Sequence, residues 1–398
     1  MLRSLGCAAA LAAVAPAYAQ TVEQLQQRVE KLEAQAQPRG QGFNPDISVI
    51  LQGTAARIKQ DPETYQITGF APSGGEVGPP RRGFSLAESE LWLGGTIDPY
   101  FRGQLVAALT PEDTIEVEEA FFQTLGLGYG FTLKGGRFLS GIGYQNEIHQ
   151  HAWDFQDAPL AYKAFLGGRL DDDGVQLRWV APLPFFLELG GEAARGRSFP
   201  ASDPNRNGAG AWSAFGHVGG DIGAAAWRAG LSYLATSPSE RSFEDGGITQ
   251  SFTGTSRLWI ADFVVKWQSV KLQGEYLRRS EAGTLTFDTA SGDYSSRQSG
   301  WYLQTAYQFL PRWRVGYRYD RLDHGDVSNG LGLTSAEAPL LLTDHNPTRN
   351  TAMIDWSPSE FSRVRLQYAQ DKSRVGITDN HLILQYVLSL GAHGAHRF

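Results

Sequence analysis

The sequence predicts an all-β fold: a sixteen-stranded antiparallel transmembrane β-barrel preceded by a short N-terminal coiled-coil helix. Three observations predict it. Almost everything beyond residue 45 reads as strands of roughly eight to fifteen residues, several with clean polar–apolar alternation. The connections between them alternate short and long, as in a barrel with tight turns at one rim and loops at the other. Aromatic residues border most of the short turns, and a water-soluble sandwich has no reason to mark one end in this way.

Composition agrees. The chain has 398 residues, a formal charge of −7, 46 glycines, 12% aromatic residues and a single cysteine, Cys7. The mild negative charge argues against a nucleic-acid partner. No stretch of about 18 or more apolar residues follows the first nineteen, so no membrane-spanning helix is expected. A barrel looks only moderately hydrophobic on average, because its strands alternate lipid-facing and lumen-facing positions.

The elements follow in chain order. Residues 1–19 read as a secretory signal: Arg3 opens it, "LGCAAALAAVAPA" is its apolar run, and Ala17-Tyr18-Ala19 is a small-x-small cleavage site. That segment carries one Arg and no acid, so the remainder stands at −8. Removing it also removes Cys7, which excludes a disulfide framework. Residues 20–37 form a coiled-coil segment, with Val22, Leu25, Val29, Leu32 and Ala36 at a and d positions and Arg28 and Glu33 at g and e. Residues 38–45 break it as a linker. Residues 46–398 are the barrel. Its sixteen candidate strands span 46–58, 83–97, 100–109, 114–125, 130–138, 173–181, 184–194, 210–222, 224–236, 255–267, 270–280, 296–309, 312–322, 349–357, 361–371 and 379–391. The longer connections lie near 59–82, 139–172, 195–209, 237–254, 281–295, 323–348 and 372–378.

A lumen of this strand count is wide enough for water. By alternation its acidic lining is Glu88, Glu90, Glu116, Glu118, Glu188 and Glu192, and its basic lining Arg312, Arg314, Arg318, Arg363 and Arg365. Opposed in this way, the two walls would set a field across the pore. The long 139–172 connection carries "NEIHQHAWDFQDAPL", where Glu147, His149, His151, Asp154 and Asp157 crowd together. A loop of that length in a compact fold is usually functional. Its residues allow two readings: polar pore lining, or a metal site in which His149, His151 and Asp154 hold zinc. No other cofactor is expected. His324 and His345, with Asp320, Asp323, Asp326 and Asp344, form a second weak metal candidate.

The last strand, "HLILQYVLSLGAHGAHRF", ends on Phe398 in the parity of its lipid-facing residues and resembles the assembly signal of bacterial outer-membrane barrels. The whole mature chain resembles a Gram-negative porin, and its N-terminal heptads resemble those of trimeric sugar- and phosphate-selective porins. The resemblance implies a water-filled diffusion channel for small hydrophilic solutes or ions, embedded in outer-membrane lipid as a homotrimer with both barrel termini periplasmic. It also implies that the third outer loop, 139–172 (the second being the short "TPED" connection at 110–113), folds inward, placing Glu147, His149, His151, Asp154 and Asp157 at the constriction. Separately, "GRFLSGIGYQNEIHQHAWDFQDAPL" and "LGAHGAHRF" are similar to chains called zinc-regulated TonB-dependent outer-membrane receptors, which would imply a zinc uptake channel or receptor. Such transporters have 22 strands and a plug, and no plug-sized segment precedes the first strand here. A membrane-embedded enzyme and a purely structural barrel are the remaining alternatives. The sequence has no Gly-x-Ser-x-Gly or His-Glu-x-x-His motif to support an enzyme.

Overall fold

A computed structural model of the chain describes residues 45–74 and 77–391. The signal, the coiled-coil segment, all of the linker but Pro45, and Phe398 lie outside the described residues. The strands are β1 (Asp46–Ile58), β2 (Gly83–Leu86), β3 (Ser89–Thr96), β4 (Phe101–Leu109), β5 (Ile115–Thr124), β6 (Phe131–Leu139), β7 (Asp171–Val180), β8 (Phe186–Ala194) and β9 (Ala211–Ile222). They continue as β10 (Ala225–Thr236), β11 (Arg241–Asp245), β12 (Ile248–Trp267), β13 (Val270–Phe287), β14 (Ala290–Leu310), β15 (Trp313–Asn329), β16 (Thr348–Ser359), β17 (Ser362–Asp371) and β18 (Asp379–Gly391).

All pairings are antiparallel, and β1 closes the sheet by pairing with β18 on one side and with β2 and β3 on the other. β2 and β3 are two parts of one stave. β11 pairs only with β12, in a hairpin that rises above the wall. The barrel therefore has sixteen staves, and no strand edge is left to face lipid.

Two expectations are corrected. Stave 83–97 is interrupted at Ala87–Glu88, where its register against β1 slips by one residue. The stretches 237–254 and 281–295 are largely strand rather than loop, because β12 to β15 run well past the wall as long hairpins. The overlooked signal was in the turns. Gly246 and Gly247, both with positive φ, join the alternating runs "RSFED" and "ITQSF", a glycine pair that suits a two-residue hairpin.

The outward face is apolar and exposed. Val364, Leu366 and Tyr368 on β17 point out while Arg365, Gln367 and Ala369 are buried inward. Tyr100, Tyr129, Phe185, Trp267, Phe309, Trp313 and Phe361 form an exposed aromatic ring at the short-turn rim. A second belt, unforeseen from the sequence, lies toward the long-loop rim: Trp212, the Tyr233–Trp259 pair at 4.6 Å and the Trp301–Tyr319 pair at 5.4 Å. Trp259 and Trp267 bracket the lipid face of β12, separated by roughly 27 Å of strand. That is the scale of a barrel's apolar band. Among the described residues no helix is long and apolar enough to cross a membrane.

The lumen contains its own apolar core. The helix α1 (Leu160–Leu166), in the 140–170 connection, is completely buried against β13, β14 and β15. Gly300 permits this approach, since a Cβ there would meet Leu322 at 2.4 Å and Ala161 and Phe165 at 3.2 Å. The first long connection folds inward as well: Phe70 packs edge-on to Phe165 at 5.8 Å, and Gln298 donates to the Gly69 carbonyl at 2.7 Å.

Phe263 is exposed midway between Trp259 and Trp267 on the same face. Phe263→Arg should lower the stability of the barrel folded in lipid vesicles by about 2–4 kcal/mol, measured by urea titration. A soluble fold would tolerate the change.

Candidate functional site

The 140–170 connection is sewn into the lumen from its first residue. Glu192 accepts from Ser140 Oγ at 2.5 Å, the Gly141 N–H at 2.8 Å and Gln176 Nε2 at 2.6 Å, and also binds Ser213. The Gly143 N–H donates to Ser232 Oγ at 3.1 Å and the Gln145 N–H to Glu275 at 2.8 Å. Asn146 ties the two ends of the loop together: its Nδ2 donates to the carbonyls of Ser140 and Leu170, and its Oδ1 accepts from the Leu170 N–H.

Each charged side chain of "NEIHQHAWDFQD" then meets the opposite charge on a different part of the wall. Glu147 accepts from Arg178 at 2.8 Å and Arg228 at 2.7 Å. His149 reaches Glu118 at 3.3 Å and Glu119 at 3.1 Å, with Glu90 at 3.6 Å. His151 meets Glu90 at 2.7 Å, its ring stacked on that of His149 at 5.8 Å. Asp154 accepts from Lys271 at 2.8 Å and Arg314 at 2.9 Å. Asp157 binds Arg318 at 3.2 Å and Lys163 at 2.9 Å, and also pairs with Arg349. Several arginines also hold the loop backbone. Arg363 donates to the His151 carbonyl, Arg365 to that of Trp153 at 2.8 Å, and Arg318 to that of Asp157 at 2.8 Å.

Local irregularities aim the acids. At β5 a bulge breaks the register between Val106 and Ala107, so Glu118 and Glu119 are both buried inward. Strict alternation from Glu116 misses Glu119, because a one-residue slip reverses which face each side chain takes. Glu116 is exposed and lines a cavity of roughly 840 Å³ on the long-loop side, together with Glu88, Glu118, Gln150, Asp157 and Arg169. Arg169 pairs with Glu88 at 3.4 Å and with Glu118. Glu188 is bound by Arg178 and His217 rather than by the loop. Arg312 leaves the basic wall altogether: it sits exposed in the short turn between β14 and β15. Lys271, Arg228, Arg178 and Arg349 join the site although the sequence reading passed over them. Their inward parity was legible, but not which of them the loop would meet.

The expected zinc set is not assembled. Asp154 is held by Lys271 and Arg314, whereas the histidines are held by acids of β3 and β5. Among the described residues, the group whose ligand atoms lie within 4.8 Å of one another is Glu90, Glu118 and His149, and Arg169 already engages Glu118. Of the second candidate, His324 lies 3.9 Å from Asp344, but it also meets the Leu341 carbonyl, His345 meets the Lys372 carbonyl, and Asp320 binds Arg318, so the six residues do not converge.

Burial of Glu147 works against its charge, yet Arg178 and Arg228 hold its pKa down to about 2. Burial is likewise outweighed at Asp154 by Lys271 and Arg314, and at Asp157 by Arg349 and Lys163, so both lie below the usual carboxylate range. At His149 burial opposes the proton, but hydrogen bonds to Glu118 and Glu119 hold the ring well above its ordinary value. The loop is thus docked as a chain of charged pairs.

The chain is 33% identical over 389 residues to an uncharacterized protein of Aquifex aeolicus (strain VF5), covering 89% of this chain and 80% of that one. It belongs to that protein's family. No family model matches it. Among solved structures, the trimer form of OmpT, an outer-membrane protein of Vibrio cholerae, superposes with a TM-score of 0.55 at 11% identity, over 87% of this chain and 99% of that one. The outer-membrane channel DcaP of Acinetobacter baumannii gives 0.54 at 12%, over 87% and 97%. An anion-selective porin from Comamonas acidovorans gives 0.51 at 11%, over 87% and 99%. The fold is the sixteen-stranded barrel of porins.

Two outcomes follow. Asp157→Asn strands Lys163, Arg318 and Arg349 around a neutral group and should weaken loop docking by about 3–5 kcal/mol, read as new protease cleavage within 140–170 in an otherwise intact barrel. Docking should also depend on pH from both sides. The depressed carboxylates contribute above their ordinary values and lose that contribution as pH falls through their folded ones. His149, raised when folded, contributes fully below its ordinary value and loses that as pH rises through its folded one. Protection should therefore be greatest at roughly pH 4.5–6.5 and decline at alkaline pH. His149→Gln should flatten the alkaline limb in the same proteolysis assay.

Proposed function

We propose that the protein is an outer-membrane porin, a diffusion channel for small hydrophilic solutes or ions, constricted by the 139–172 loop. The observation that carries this reading is the loop's attachment by Glu147, His149, His151, Asp154 and Asp157 to charges on separate parts of one closed wall. A solute crossing the lumen would have to pass that strip. The porin fold and the apolar outer band support a Gram-negative outer-membrane location, with both barrel termini periplasmic. The trimer form of the Vibrio cholerae OmpT structure supports a homotrimer, and the 20–37 heptads would add register to it. Phe398, in lipid-facing parity, would act as the assembly signal. We assign no catalytic role. The zinc set of His149, His151 and Asp154 is not brought together, since Asp154 is held by Lys271 and Arg314 away from the histidines.

Tight docking implies a narrow path. In planar bilayers the parent protein should give small, discrete conductance steps. Asp154→Asn with Asp157→Asn, which frees the loop from Lys271 and Arg349, should enlarge them severalfold. A parent protein that inserts but conducts nothing, with a double variant equally silent, would remove the channel reading.

A further inference from the structure

Outside the lumen, the outward face of four adjacent strands repeats one order of residues. Moving toward the long-loop rim, Trp259 gives way to Arg257 on β12, Tyr276 to Arg278 on β13, Trp301 to Arg297 on β14 and Tyr319 to Arg321 on β15. The register brings them together. Arg257 and Arg297 both face Ser280, Arg278 faces Trp259, and Arg321 faces Trp301. All four guanidinium groups are exposed, and none has an ion pair or hydrogen bond among the described residues. The acids nearby leave them free: Asp323 accepts from the Gly325 N–H at 2.9 Å, and Asp326 lies opposite Arg297 without forming an ion pair. The inward arginines of the same strands behave differently, since Arg279 and Arg318 are fully buried and bonded. Arg257 and Arg297 also border a cavity of roughly 650 Å³ whose lining carries Glu281, Asp326 and Asp344, so the outward face of the two guanidinium groups, not this cavity, is where an anion would sit.

Position gives this patch its meaning. Along each strand it lies one or two outward positions beyond an aromatic residue, and those aromatics sit above the apolar band. A lipid presents the complementary series: acyl chains, an interfacial zone, then a charged headgroup. A guanidinium fork matches phosphate oxygens in pairs, and basic residues at a membrane surface attract anionic headgroups. We propose that Arg257, Arg278, Arg297 and Arg321 form a binding site for the phosphate of an anionic membrane lipid in the leaflet at the long-loop rim. Lipid is favoured over free phosphate because Phe263 and Trp259, directly below, offer the acyl chains a surface. The proposal rests on the membrane reading but not on conduction.

The test is native mass spectrometry of the full chain in detergent, given equimolar phosphatidylglycerol and phosphatidylcholine with identical acyl chains. The parent should retain the anionic lipid preferentially. Arg257→Gln and Arg297→Gln, made singly, should each reduce that preference about fivefold, and the quadruple Gln variant should abolish it. Arg206→Gln with Lys372→Gln, which removes charge elsewhere, should leave it unchanged. Millimolar inorganic phosphate should not displace the lipid. Equal retention of both lipids by the parent, or an undiminished preference in the single variants, overturns the site. Displacement by inorganic phosphate overturns the lipid assignment. Conductance of the same samples is read separately, so a silent channel with intact lipid preference defeats only the porin reading.

Discussion

The pairing of loop charges with wall charges is the constraint on which the lumen depends. A sixteen-stranded barrel is held together by its ladder, but its interior is not determined by the ladder. Here the interior is filled by a segment whose charge order matches the wall it crosses: Glu147 to arginines, His149 and His151 to glutamates, Asp154 and Asp157 to lysines and arginines. Buried ion pairs contribute little net stability compared with well-packed apolar groups, yet removing one partner is costly. Their value here is registry. Shifting the strip along the lumen would bring carboxylate against carboxylate, so the sequence fixes one placement by penalising the others.

Apolar contacts finish what the charges orient. Leu160, Ala161, Tyr162 and Phe165 are fully buried against the inner wall, and Gly300 gives way to admit them. Phe70 from the first long connection closes over Phe165. The barrel therefore has two apolar surfaces, one toward lipid and one around its own loop. The ordinary average hydrophobicity of the chain conceals both.

Much of this was legible in the sequence and some was not, for definable reasons. Alternation in "RVRLQYAQD" separates Arg365 and Gln367 from Leu366 and Tyr368 because a strand's side-chain period is two, and the short turns announce themselves through flanking aromatics. Alternation fails where the backbone departs from it. The bulge at Glu118 turned Glu119 inward, and the slip at Ala87–Glu88 divided one stave. Arg312 was assigned to the wall although the tight turn before Trp313 takes it out. Inside the lumen, the sequence marked "NEIHQHAWDFQDAPL" as unusual but left its partners undetermined. They come from strands as far as 212 residues away in the chain, and only closure of the sheet brings them together. The histidines read as metal ligands together with Asp154, whereas the acids that lie beside them, Glu90, Glu118 and Glu119, belong to strands that the sequence did not connect with the loop.

The most direct measurement is hydrogen–deuterium exchange of the loop amides in the folded barrel. Gly141, Gly143, Gln145, Gln156 and Leu160 each donate a backbone N–H to a wall side chain: Glu192, Ser232, Glu275, Gln367 and Asp320 respectively. If opposite charges dock the loop as described, these amides should exchange as slowly as those of the neighbouring strands and far more slowly than those of Asn205, Asn207 and Gly208 in the exposed connection after β8. Exchange as fast as in that exposed connection would mean that the loop is not fixed in the lumen, and would contradict the account.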